Sequence, residues 1–183
     1  EIADSKQLQE EREIIQETME NDLSTANFLA KTPAEQLMFV HELTAANIRP
    51  IAPQLKEIIE HEETHPFVKS LILILLVEQE VSMEVEMKKF NRVQKVNPSE
   101  LELPINMPHF QAITALVIEQ LEQEPSTLEL IQSLIAKHAI VTYPFEWLDF
   151  EDDDVATSYI DYVRVMFGKV QEVDYELIDF LQQ

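Results

Sequence analysis

The chain has 183 residues, 45% of them hydrophobic and 26% charged, with a net charge of −22, one glycine and no cysteine. A single glycine, Gly168, excludes the P-loop, the dinucleotide fingerprint and the nucleophile elbow, each of which needs several positions without a Cβ. The missing cysteine excludes disulfides, thiolate metal sites and cysteine nucleophiles, and it fits a reducing cytoplasm.

The charge bears on partners. An acidic field repels nucleic acid and anionic membrane surfaces, so the partner expected is a protein, with a basic surface favoured. Solubility alone also accounts for such acidity. The amino end, "EIADSKQLQEEREIIQETME", is charged throughout and does not read as a signal peptide. A start at Glu1 rather than Met fits a trimmed chain or a fragment of a longer one.

In chain order, residues 3 to 20 read as a polar helix with a thin stripe of Leu8, Ile14, Ile15 and Met19. "NDLSTANFLAK" follows as a short helix or turn. "TPAEQLMFVHELTAAN" carries a start signal: Thr32 caps, Pro33 fits the first turn and Glu35 completes a capping box. Leu37, Phe39, Val40 and Leu43 cover most of its circumference, which predicts a buried helix. Pro50 and Pro53 precede a helix carrying Leu55, Ile58 and Ile59.

Residues 61–65, His-Glu-Glu-Thr-His, match H-E-x-x-H. On a continuous helix, His61 and His65 would share one face and bind zinc, with Glu62 as general base on the bound water. Pro66 opposes this, because a proline drives the preceding residue out of the α region. A corner between two helices is the favoured reading, and a zinc hydrolase the alternative. Neither a metal nor another cofactor is expected.

"HPFVKSLILILLVEQE" is apolar almost all round and reads as a central core helix. Its longest apolar run, 71–77, is too short to span a bilayer. The period then changes to two. Met83, Val85 and Met87 alternate with Glu84, Glu86 and Lys88, "KFNR" serves as a turn with Asn91 at positive φ, and Val93 to Val96 returns, predicting a β-hairpin at about 83–96. Lys88, Lys89, Arg92 and Lys95 concentrate four of thirteen basic residues there. They either orient a partner or guard a solvated strand edge.

After a connector to Pro108, "HFQAITALVIEQLEQE" and "STLELIQSLIAKHAIV" read as helices, the second opened by a capping box of Ser126 and Glu129. In "TYPFEWLDFE", Tyr143, Phe145, Trp147 and Phe150 form either an exposed docking patch or, as favoured, pins that hold the loop on the core. Glu146, Asp149, Glu151, Asp152, Asp153 and Asp154 lack the glycine and final glutamate of a calcium loop, and suit a helix N-terminus instead. That helix, "VATSYIDYVRVMF", is expected to stop at Gly168. "DYELIDFLQ" closes the chain. His41, His109 and His138 lie near apolar helical positions without nucleophile spacing.

The class predicted is all-α, stacked helical hairpins of the TPR or HEAT kind, with one β-hairpin. The divisions read are 1–81, 82–106 and 107–183, packed as one unit. "HPFVKSLILILLVEQEVSMEVEMKKFNRVQKVNPSEL" and "YPFEWLDFEDDDVATSYIDYV" resemble the C-terminal part of uncharacterised tetratricopeptide-repeat-containing proteins of Gram-positive bacteria. The likeness involves no catalytic motif. It implies a cytoplasmic protein–protein interaction module, although the repeat consensus positions for Gly and Ala are not met. A structural dimerisation domain is the third possibility.

Overall fold

Helices begin where a side chain or a proline deals with the first unpaired N–H groups. The computed structural model describes residues 2–167. Helix α1 (Ile2–Asp22) opens the chain. Ser24 caps α2 (Thr25–Ala30), its hydroxyl accepting from the Asn27 amide at 3.2 Å. α3 (Pro33–Leu43) carries the expected box: Thr32 Oγ1 accepts from the Glu35 amide at 3.3 Å, and Glu35 Oε2 accepts from the Thr32 amide at 2.7 Å. A 3-10 turn at Arg49–Ile51 leads into α4 (Ala52–Glu60), and a corner leads to α5 (Pro66–Glu78).

The chain divides into two compact units, Glu1–Leu101 and Glu102–Gln183. α5 is the core helix of the first, as its composition predicts. Ile72, Leu73 and Leu76 are wholly buried, as are Leu55, Ile58 and Ile59 of α4 and Phe28 of α2. The end of α5 is fastened by polar groups. Gln79 donates to the Ala46 carbonyl at 2.7 Å and accepts from the Ile48 amide at 3.0 Å, while the Arg49 guanidinium donates to the Gln79 carbonyl at 2.6 Å. The segment just past α3 therefore sits at the end of α5, and the two helices, which touch, run in the same direction.

One expectation for α3 fails. Its pattern predicts burial around most of the circumference, yet Leu37 is 38% exposed and Met38 64% exposed. Neighbours cover only the Val40 and Leu43 side.

The hairpin forms within the segment of period two: β1 (Val85–Lys89) pairs antiparallel with β2 (Arg92–Val96), from Val85↔Val96 to Lys89↔Arg92. Val85, Met87 and Lys89 are buried, Glu86 and Lys88 exposed, and β1 lies on α4. The two-residue turn holds Phe90 at φ 50° and Asn91 at φ 61°. Both positive values suit the twist of a tight hairpin, and the non-glycine residues there cost about 1–2 kcal/mol each.

In the second unit, 3-10 turns at Pro98–Glu100, just before it, and at Pro104–Asn106 lead to α6 (Pro108–Gln120), α7 (Pro125–Thr142) and α8 (Asp152–Met166). Their core gathers Ile113, Val117, Ile131, Ile135, Trp147 and Tyr159. The predicted box at Ser126 and Glu129 is not made. α7 starts a residue earlier, at Pro125, with Glu124 before it and no side-chain cap, so Ser126 is already inside the helix. Phe167 follows the last turn of α8; Gly168 and the "DYELIDFLQ" segment lie outside the described residues. The architecture is the predicted one, mostly α with a single two-stranded hairpin. Among the described residues no helix is long and apolar enough to cross a membrane.

Candidate functional site

The H-E-x-x-H string is a corner. α4 ends at Glu60, His61 takes extended angles (φ −73°, ψ 133°), and α5 starts at Pro66. Thr64 is buried in the turn, its hydroxyl donating to the Ile58 carbonyl at 2.6 Å. Each histidine uses Nδ1 to accept a local amide: His61 from Glu63 at 3.2 Å, His65 from Phe67 at 3.1 Å. The two imidazoles therefore serve the corner and do not share a helical face. Glu62 is 82% exposed at its side chain and pairs with Lys88 at 3.2 Å. The alternative assignment of His61 and His65 as ligands and Glu62 as base lacks the helix it depends on.

The proposed partner-contact residues separate. Tyr143, Phe145 and Trp147 are buried, so none of the three offers a ring to a partner. Trp147 packs edge-on against Tyr159 with centroids 6.3 Å apart, and the Tyr143 hydroxyl donates to the Glu102 carbonyl at 2.6 Å. Burial drives the Tyr143 and Tyr159 hydroxyls to resist ionisation. These rings pin the loop. Lys88 is exposed and Arg92 half-buried, but Lys89 is only 3% exposed.

Lys89 occupies an inward β1 position that alternation would give to an apolar residue. Its Nζ donates to Ser70 Oγ on α5, and Lys69 Nζ reaches the Lys88 carbonyl at 3.3 Å. Burial, followed by repulsion from Lys69, pushes Lys89 down to about 7. Burial lowers Lys69 as well, and Lys88 adds to the effect. A serine beside a low-pKa lysine suggests an activated nucleophile. Ser70, however, is wholly buried and donates its own proton to the Pro66 carbonyl at 3.2 Å. The pair joins hairpin to helix.

The acidic segment is also used structurally. Glu146 Oε1 accepts from the Phe110 amide at 2.9 Å and so caps the start of α6. Asp152 Oδ1 meets His109 Nδ1 at 2.7 Å, and this hydrogen bond raises the His109 pKa. His138 Nδ1 lies 2.7 Å from the Tyr159 hydroxyl, and desolvation lowers its pKa. Among the described residues no cluster of three or more His, Asp or Glu side chains could hold a metal ion.

A further surface follows from two helices that the sequence pattern does not by itself bring together. A groove of about 320 Å³ opens between α3 and α5. Leu37 and Val40 line it on α3, and Leu71, Ile74 and Leu75 on α5. His41, Thr44 and Glu78 complete the lining. Each helix contributes one stripe of positions spaced by three and four, and both C-terminal ends, the negative poles of their dipoles, lie together. The signal was present in the sequence. α3 has more apolar positions than one buried face requires, and the excess lines the groove.

The family described as "Protein of unknown function (DUF3196)" matches residues 13–183. The "TPR repeat-containing protein YsoA" of Bacillus subtilis (strain 168) is 32% identical over 131 residues, which is 71% of this chain and 39% of that protein. The match bears out the resemblance to tetratricopeptide-repeat proteins, and the chain spans well under half of that relative's length. No solved structure matches it.

Proposed function

The chain belongs to the DUF3196 family, and we propose that it is a non-catalytic protein–protein interaction module whose α3–α5 groove receives an amphipathic helix. The groove carries this reading. Two parallel stripes of side chains with a half-open apolar floor match the i, i+3, i+4, i+7 anchors of a docked helix. The TPR-repeat label of the Bacillus relative supports interaction as the general role. Two dipole C-termini, Glu78 and a net charge of −22 favour a basic residue at that end of the partner helix. The lack of cysteine supports a cytoplasmic setting.

The test is affinity capture at low and high salt with the wild-type chain beside a Leu37→Glu, Ile74→Glu double variant. A partner held by the wild type, weakened by salt and lost at least about tenfold by the variant, at an unchanged helical CD signal, is the expected result. A partner retained equally by both proteins sinks the groove assignment.

A further inference from the structure

A two-stranded sheet has two outer edges, and this one treats them differently. In a hairpin closed by a two-residue turn, the pair flanking the turn, Lys89↔Arg92, exchanges backbone hydrogen bonds, and so does every second pair from it. The N–H and C=O groups of Glu86 and Lys88 on β1, and of Val93 and Lys95 on β2, therefore point away from the partner strand. The side-chain bonds on β1 agree. The Glu86 amide donates to Glu60 Oε1 at 2.9 Å, and the Lys88 carbonyl accepts from Lys69 Nζ at 3.3 Å. The outer edge of β1 is thus occupied by α4 and α5. The corresponding groups of Val93 and Lys95 on β2 have no backbone or side-chain partner among the described residues. Val93 is also 57% exposed, an apolar side chain beside an open edge.

We propose that the outer edge of β2 is a strand-addition site for an extended acidic peptide segment of a partner protein, a surface separate from the α3–α5 groove. Four backbone groups, on Val93 and Lys95, supply the affinity, and their side chains supply the choice of sequence. β2 reads Arg-Val-Gln-Lys-Val, with two cations and no carboxylate in a chain of 35 acidic and 13 basic residues. An incoming strand meets Val93 best with an apolar residue and Lys95 best with a carboxylate. Lys95 pairs at present with Glu84 at 3.3 Å, but both side chains are more than 60% exposed, so that bond exchanges readily for one to a partner. The remote acidic surface is screened beyond a Debye length of about 8 Å at physiological salt, so the nearby charges decide: Arg92 and Lys95 on β2 and Lys88 across from Val93, against Glu84 and Glu86 beside Lys95. Lysine on an open edge also deters unwanted pairing. Here the deterrent selects, since it repels basic and admits acidic strands.

The probe is a blocked, fluorescent hexapeptide, Thr-Val-Thr-Glu-Thr-Val, which sets a valine and a glutamate two residues apart on one face as Val93 and Lys95 are; it is titrated into the full chain and followed by anisotropy. Three comparisons accompany it: the same peptide with lysine for glutamate, the same peptide N-methylated at alternate amides, and amide exchange at Val93 and Lys95. The expected result is saturable binding of the acidic peptide, weakened by about tenfold or more by N-methylation or lysine replacement, with slowed exchange at both amides. Val93→Pro removes one outward N–H without touching the β1–β2 ladder and is expected to lose about tenfold in affinity. Should that variant lose its CD signal, Lys95→Glu reads the same edge through charge, with a several-fold loss expected. No binding, equal binding of the N-methylated peptide, or protection of other amides overturns the proposal. So does concentration-dependent protection of Val93 and Lys95 without peptide, which would give the edge to a second copy of this chain.

Discussion

The two units solve the burial of polar groups in opposite ways. The second closes its core with rings whose hydroxyls are satisfied locally, the Tyr143 hydroxyl on the Glu102 carbonyl and the Tyr159 hydroxyl on His138, while the Trp147 indole nitrogen is buried without a hydrogen-bond partner among the described residues. The first places two lysines under its hairpin, the pKa of one of them pushed down to about 7, and carries an apolar groove and a strand edge that has no backbone partner among the described residues. Departures from local sequence rules gather where a molecule does more than fold. By that standard the first unit is where the two proposed docking surfaces lie, and the second unit is the contrast against which they are tested.

Three measurements sharpen or break that contrast. The largest effect is expected from Trp147→Ala, which empties a site in the second core that is 1% exposed. It should cost about 3–5 kcal/mol, read as an earlier transition in urea by far-UV CD. A change below about 1 kcal/mol would mean that the aromatic loop does not hold its unit together.

Lys89→Met comes next and is expected to stabilise. The folded pKa of Lys89 is lowered to about 7 from 10.5. Between those values the unfolded chain binds a proton that the folded chain does not, so stability rises with pH, by about 1.4 kcal/mol per unit from this group. Below about 7 both states are protonated and the slope from this group vanishes, leaving the full cost of the buried charge. Lys69, shifted the same way, adds to the rise. The methionine variant should flatten the profile and gain about 1–4 kcal/mol at pH 7. A variant no more stable than wild type, with an unaltered pH profile, would remove Lys89 from the account of the first unit.

The smallest effect is expected at the half-exposed His109–Asp152 pair, where Asp152→Asn should cost less than about 1 kcal/mol. The folded pKa of His109 is raised above its ordinary 6.5, chiefly by the Asp152 hydrogen bond. Its contribution is complete below 6.5 and fades as pH rises through the folded value. NMR titration should show the His109 midpoint fall in the variant. An unmoved midpoint would locate the cause of the shift elsewhere.

Several features were legible in the sequence because their causes are local. Thr32, Pro33 and Glu35 start a helix by themselves; Pro66 breaks the zinc string by excluding His65 from the α region; alternation from Met83 to Met87 makes a strand in any context that buries one face. Where local signals compete, the reading failed. Ser126 and Glu129 spell a box, but Pro125 claims the first helical position and the helix begins ahead of them. Other features have no local cause. Lysine at an alternating inward position says nothing of Ser70, nineteen residues away, which receives its ammonium.

The sequence by itself settled the class of the molecule: helical, with one hairpin, without the glycines or cysteines that most catalytic loops and thiol sites demand. It did so because backbone propensity, capping and periodicity act over a few residues. Only the tertiary structure decided which apolar positions stay uncovered on α3, which tyrosines turn inward, and which edge of the hairpin the described helices occupy. Those outcomes depend on how neighbouring helices divide a limited buried surface among them, and no short window of sequence records that division.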